Sequence, residues 1–254
     1  QRQMCIRDSV SAEQGDPYVM QSQFAFDSLE RFEAFAQALQ RVMDRHDILR
    51  TGVVWDGLQQ PSQVVWRQAR LPVQALQLNP ADGDIAAQLH GLFDARHYRL
   101  DVTRAPLLRL VRADDRLNQR IVATLLFHHM ALDHSALEVV CHEMQACLLG
   151  QGAALGQAVP FRNYVAQARL GISEPEHENF FRQMLGDISE PTLPYGLQDV
   201  QGDARGISEV SLPLPAALSR RLRAQARQLG VSAASLFHMG WAQVLAVLAG
   251  KEQV

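Results

Sequence analysis

The sequence predicts an α/β fold, and three observations carry that expectation. The first is an apolar, partly β-branched run, Arg120-Ile-Val-Ala-Thr-Leu-Leu126, of the kind found in a strand covered on both faces. The second is a pair of helical stripes. Phe32, Phe35, Ala36, Leu39, Val42 and Met43 form one, and Leu137, Val140, Cys141, Met144, Cys147 and Leu148 form the other. The third is alternation, since strand-like and helix-like segments follow one another along most of the chain.

Taken in order, Asp27 and Glu30 have the spacing of a capping box and are expected to open the first helix. The β-rich Val53-Val54-Trp55 follows its exit, and Val64-Val65-Trp66 and Leu71 to Leu78 read as further strands. A helix is expected from Ile85 to Phe93. After the apolar strand, Ser135 and Glu138 give a second capping-box spacing, and Gly150 sits where a helix stop belongs. Gly150 to Val159 is a Gly/Ala loop, Glu178 to Leu185 a short helix, and Pro191 to Gly206 a Pro-, Gly- and Asp-rich surface linker. Ile207 to Leu214 alternates like a strand, and Pro215 starts a helix that stops at Gly230. Ala233 to Ala249 is the longest apolar run, broken by His238 and Gln243, and reads as a buried helix rather than a membrane span.

Composition narrows the class. Of 254 residues, 47% are hydrophobic and 20% charged, enough for a sizeable core. A net charge of −3 argues against nucleic acid, whose readers need a basic face. The three cysteines, Cys5, Cys141 and Cys147, suggest no disulfide framework and suit a reducing cytoplasm. No secretory signal is evident.

The chemistry-bearing residues cluster at the end of the apolar strand: His128-His129-Met-Ala-Leu-Asp133-His134. An imidazole titrates near neutrality, so His129 is a candidate to take a proton from an incoming nucleophile. Neighbours on a strand point to opposite faces, so one of the two histidines is expected to lie in the core. Asp133 either orients the imidazole or is a buried anion paired with an arginine. A metal reading would rest on His134, Glu138 and His142, at i, i+4 and i+8. Ser135 as N-cap would leave His134 outside the helix, and Cys141 and Cys147 do not share a face, so no metal site is expected.

A second motif, Arg45-His46-Asp47-Ile48-Leu49-Arg50-Thr51, closes the first helix. Together with His128-His129-x-x-x-Asp133 it resembles the condensation domain of non-ribosomal peptide synthetases, a family with an Arg-His-x-x-Leu-Arg-Thr-like motif and a later His-His-x-x-x-Asp-Gly motif. Ala105-Pro106-Leu107-Leu108-Arg109-Leu110, Pro160-Phe161-Arg162-Asn163-Tyr164 and the segment Val231 to Gly250 resemble further family segments in the same order. The family's glycine after the aspartate is His134 here. Glycine supplies positive φ that histidine adopts only at a cost, so a departure in loop geometry is expected at this position.

The resemblance implies a chloramphenicol-acetyltransferase-like two-lobe α/β fold, with the first lobe complete and the second only begun. Residues 1–9 look like a translated sequencing adapter and are expected to be a non-native tail. Residues 10–170 would form the N-terminal lobe, 171–206 a linker at the lobe junction, and 207–254 the start of the C-terminal lobe. The implied activity is amide formation between a donor acyl or peptidyl thioester and an acceptor aminoacyl thioester. His129 is the implied catalytic centre, as general base or as the group that positions the amine, with His128 supporting it. Asp133 is implied to pair with Arg50 and hold the loop, while Arg45 and His134 support the site. No cofactor or metal is bound directly; 4'-phosphopantetheine arrives on donor and acceptor peptidyl carrier protein domains, beside an adenylation domain. Neither nucleic acid nor membrane is an expected partner. The alternatives are a stand-alone ester- or amide-forming acyltransferase, an epimerisation domain, for which the usual tryptophan after Asp133 is missing, and a non-catalytic carrier-docking fragment. The chain by itself is expected to be inactive and poorly soluble, because second-lobe elements would bury the segment Ser232 to Ala249.

Overall fold

A computed structural model describes residues 5, 6, 9, 15–196, 208 and 210–254. These divide into two compact units, with the boundary between Gly171 and Ile172. The first unit is built on a four-stranded sheet of β1 (Val19–Phe26), β4 (Val73–Leu76), β5 (Leu108–Asp115) and β6 (Arg120–His128). Their spatial order is β1-β6-β5-β4, with β6 antiparallel to both neighbours and β4 parallel to β5. A separate hairpin joins β2 (Thr51–Val54) to β3 (Ser62–Val65).

Helices cover both faces of the sheet, which is why the central strand carries almost no polar residue. Ala123, Leu125 and Phe127 of β6, with Leu108 and Leu110 of β5, meet α1 (Leu29–Arg45) and α3 (His134–Leu148). Val122 and Leu126, with Val111 and Ala113, point the other way onto Ile85 and Leu89 of α2 (Ile85–Leu92). The period-2 alternation of β5 and β6 thus feeds two separate cores. The expected stripe of α1 is realised, with Phe32, Leu39, Val42 and Met43 buried and Phe35 and Ala36 packed against them.

Both expected capping boxes shift. Ser28, not Asp27, caps α1 by accepting the Arg31 N–H at 3.2 Å, and Asp27 instead pairs with Arg31 at 2.7 Å. Asp133, not Ser135, caps α3 by accepting the Ala136 N–H at 2.7 Å. In each case the competing side chain lies one or two residues away and is also a good cap, so spacing alone does not choose between them. Helix α4 (Phe161–Leu170) closes the unit, and Asp47 accepts the Phe161 N–H with both carboxylate oxygens, at 3.0 and 3.1 Å.

Residues 5, 6 and 9, from the expected tail, pack onto this unit: Cys5 is buried in the cluster of Val53, Val102, Leu107, Met130 and Ala131.

The second unit contains α5 (Glu174–Leu185), α6 (Ala216–Leu229) and α7 (Ala233–Ala249). Helix α5 starts four residues earlier than expected, because Ser173 and Glu176 form a capping box there. Helix α6 ends as expected at Gly230 and α7 spans the expected Ala233 to Ala249, each followed by a left-handed glycine, Gly230 and Gly250. Residues 207 and 209 lie outside the described residues, and 210–214 do not form the expected strand. Alternation yields a strand only where a second strand satisfies the backbone, and among the described residues none pairs with this segment. No residue of α7 is buried, and Phe237, Met239 and Trp241 are more than half exposed. Among the described residues no single helix is long and apolar enough to cross a membrane; α6 and α7 reach that measure only jointly, across a bend of 104°.

Candidate active site

Strand β6 ends on His128, and the chain turns at once through Met130 to Leu132 into the α3 N-terminus. The two histidines are sorted by the pleat as expected. His128 is completely buried, whereas His129 is half-buried. The Met130 N–H donates to His128 Nδ1 at 3.1 Å, which leaves the ring proton on Nε2, and that nitrogen faces Asp16 Oδ2 at 3.2 Å. Burial works to raise the Asp16 carboxyl, but hydrogen bonds from His128, the Tyr18 N–H and Ser9 outweigh it and hold it below the usual carboxylate range.

His129 is held at its backbone by donation of its N–H to the Tyr18 carbonyl at 2.9 Å. Its Nδ1 lies 3.2 Å from the Leu132 carbonyl oxygen, a contact that requires a proton on Nδ1 because a carbonyl only accepts. The neutral ring therefore presents an unprotonated Nε2. That is the tautomer needed to accept a proton or a hydrogen bond from an amine.

Asp133 and Arg50 do not meet. Asp133 is exposed and occupied in capping α3. The Arg50 guanidinium is spent on backbone carbonyls: Nε donates to Met43 at 3.1 Å, and the terminal nitrogen donates to Arg67 at 3.0 Å and to Trp66. Arg50 thus fastens the end of α1 to the exit of β3, and the expected Asp133–Arg50 pair is replaced by a cap on one side and a carbonyl clamp on the other. The physical reason is that carbonyls left free at a helix C-terminus (Met43) and just past a strand (Trp66 and Arg67) attract a guanidinium as an anion does.

His134 also departs from expectation. It is the first residue of α3 and is not among the residues with positive φ, so its side chain meets no left-handed strain. The imidazole is 88% exposed and lies 3.5 Å from Glu138 one turn on. His134 therefore lies inside the helix rather than before it. Among the described residues no group of three metal-ligating side chains converges.

Arg45 and His46 reach α3 by a route the motif did not reveal. Arg45 Nε donates to Glu143 at 3.0 Å and its terminal nitrogen to the Gly156 carbonyl at 2.8 Å, while His46 Nε2 lies 2.8 Å from the same carboxylate. Burial pushes the Glu143 carboxyl up, and the hydrogen bonds from Arg45 and His46 pull it further down, below its ordinary value. A signal for Glu143 existed in the sequence. It shares a helical face with Val140, Met144 and Cys147, and a charge on an apolar face needs a partner.

The geometry brings together a core histidine, a half-buried histidine whose Nε2 has no hydrogen-bond partner among the described residues, and a capped helix, all at the C-terminal end of a central strand. Comparison with known proteins gives this arrangement a family. The family model described as Condensation domain matches residues 2–254. The chain is 50% identical to malpinin synthetase of Mortierella alpina across 94% of its own length, and 46% identical to malpibaldin synthetase of the same organism across 96%. It spans about 3% and 4% of the length of these two relatives. In structure it resembles the condensation domain from the Monacolin K polyketide synthase MokA, with a TM-score of 0.71 at 19% identity, over 98% of this chain and 59% of that one. The four-stranded sheet with helices on both its faces is thus that of a chloramphenicol-acetyltransferase-like fold, and the chain belongs to the condensation domain family.

Proposed function

We propose that this chain supplies the histidine loop of a domain that forms an amide between two carrier-bound thioesters. The observation that supports it most is the tautomer of His129, with Nδ1–H on the Leu132 carbonyl and the Nε2 lone pair without a partner among the described residues. The acceptor's α-amine attacks the donor thioester carbonyl; the C–N bond forms, the C–S bond breaks, and the departing thiolate takes up the proton that the amine sheds. His129 Nε2 is the group to receive that proton first, or to aim the amine through the same hydrogen bond, since an amine needs little activation. His128 and Asp133 act on the loop and not on the substrate.

In this reading the partners are donor and acceptor peptidyl carrier protein domains, each bearing a 4'-phosphopantetheine arm, with an adenylation domain in the same cytoplasmic synthetase. The domain organisation that goes with it places a first lobe over residues 10–170 and the opening of a second over 207–254. Single-turnover transfer between two loaded carrier proteins tests the role of His129. His129→Ala in the completed domain should leave the fold intact and slow amide formation by about 10²–10⁴-fold, the usual contribution of a general acid–base group. An unchanged rate at low amine concentration would remove His129 from the chemistry.

A further inference from the structure

Asp16 belongs to neither sequence motif, yet its carboxylate is the most heavily used buried acceptor at the histidine loop. Its side chain is fully buried. Oδ2 accepts from His128 Nε2 at 3.2 Å, and Oδ1 accepts from the Tyr18 N–H at 3.0 Å and from the Ser9 hydroxyl at 3.2 Å. The backbone of Asp16 is fixed as well. Its N–H donates to the Ala95 carbonyl at 2.7 Å, and its carbonyl accepts the Val19 N–H at 3.0 Å. Gly15, just before it, has φ of +68°, and a Cβ there would stand 2.4 Å from the Arg96 carbonyl oxygen, so the close approach to residues 95 and 96 requires glycine.

This turn then reaches both histidines. The Asp16 side chain holds the ring of His128, and Tyr18, whose N–H it accepts, offers its own carbonyl to the His129 N–H at 2.9 Å. Neighbouring strand residues face opposite ways, and one carboxylate registers both. We propose that Asp16 is a positioning residue for His129, acting through the His128 ring and the Tyr18 peptide. The inference rests on the reading of His129 as the group that meets the amine.

The donor count makes the requirement sharp. His128 Nε2–H lies 3.2 Å from Asp16 Oδ2 and 3.1 Å from the Ser9 oxygen, while the Tyr18 N–H and the Ser9 hydroxyl both point at Oδ1, so a carboxylate satisfies the set. In Asp16→Asn one oxygen becomes an NH₂ group. Turned toward Tyr18, it opposes an N–H that has no other orientation. Turned toward His128, it meets the ring Nε2–H donor against donor, or drives the ring proton onto Nδ1, where the Met130 N–H already donates. No tautomer and no amide flip satisfies every group, although the shape is unchanged.

Two measurements, made in the longer protein that carries this chain, test the proposal. In the unaltered protein, long-range ¹H–¹⁵N NMR of the His128 ring should show the proton on Nε2 and a bare Nδ1; the opposite tautomer would overturn the proposal without any variant. In Asp16→Asn, the His128 ring and His129 amide signals should both move. With loaded carrier proteins, kcat should fall by about 10²-fold, the scale of a reacting group displaced by about 1 Å, while KM for the acceptor changes little. A folded Asp16→Asn protein with ordinary kcat, or one whose His129 amide signal stays in place, would refute the positioning role. Should His129→Ala leave the rate unchanged, the functional reading fails, and the NMR signals still report separately whether Asp16 orders the loop.

Discussion

Removing Glu143 should uncouple the first motif from the helix behind the histidine loop. In the structure one carboxylate serves Arg45 and His46 across almost a hundred residues of chain, at 3.0 and 2.8 Å. The side chains are 26%, 21% and 11% exposed for Arg45, His46 and Glu143, so the cluster is largely but not wholly dry. Breaking a fully buried pair costs about 3–5 kcal/mol, and an exposed one contributes about 0–1. Arg45 keeps its bond to the Gly156 carbonyl after the substitution, which softens the loss. Glu143→Ala should therefore destabilise by about 2–3 kcal/mol, between those limits. For a protein of this size that lowers Tm by roughly 4–12 °C. Thermal unfolding followed by circular dichroism at pH 7 measures it, and the Arg45→Ala, Glu143→Ala cycle isolates the coupling. The sign with pH follows from the carboxyl being held below its ordinary value in the folded state. Its stabilisation is complete above the unfolded value near 4.5 and is lost as pH falls through the lower folded value. The Tm gap between the unaltered protein and Glu143→Gln should accordingly narrow on acidification below about pH 4.5. A gap of equal size at pH 3 and pH 7, or strictly additive losses in the cycle, would show that the cluster does not hold α1 to α3.

The cap on α3 predicts that the charge of Asp133 is dispensable. Asp133→Ala should cost about 1 kcal/mol, while Asp133→Asn and Asp133→Ser should lie close to the unaltered protein in urea unfolding. Because Arg50 and Asp133 share no partner, Arg50→Ala and Asp133→Ala should be additive to within about 0.5 kcal/mol; a clearly smaller combined loss would mean that they meet after all. Gly52 lies against the Thr103 carbonyl, where an added Cβ would come within 2.9 Å of the oxygen. Gly52→Ala should therefore destabilise by about 1–3 kcal/mol through overpacking against backbone, and an unchanged urea midpoint would contradict the close approach.

The periodic elements are legible in the sequence, because burial on one face or on two imprints itself on consecutive residues. The stripe of α1, the two-faced run of β6, the glycine stop at Gly230 and the helix over Ala233 to Ala249 all appear where local pattern puts them. Helix starts shift by one or two residues, since Asp27 and Ser28, or Asp133 and Ser135, are equally good caps in sequence and only the path of the incoming chain selects one. The strand expected over 207–214 needs a partner strand, and a ladder is a property of two segments, not of one. The pleat rule anticipates that His128 and His129 face apart. What lies beyond it is which atom each ring nitrogen meets, because Asp16, Tyr18 and Leu132 approach from separate turns of the chain. Glu143 stands out as a charge on an apolar face, yet its partners sit on another helix. The pairing of Arg50 with Asp133 followed from motif analogy and gives way to nearer acceptors: a guanidinium binds whichever carbonyls the fold leaves free, here at a helix end and past a strand, and only the tertiary structure decides where those lie.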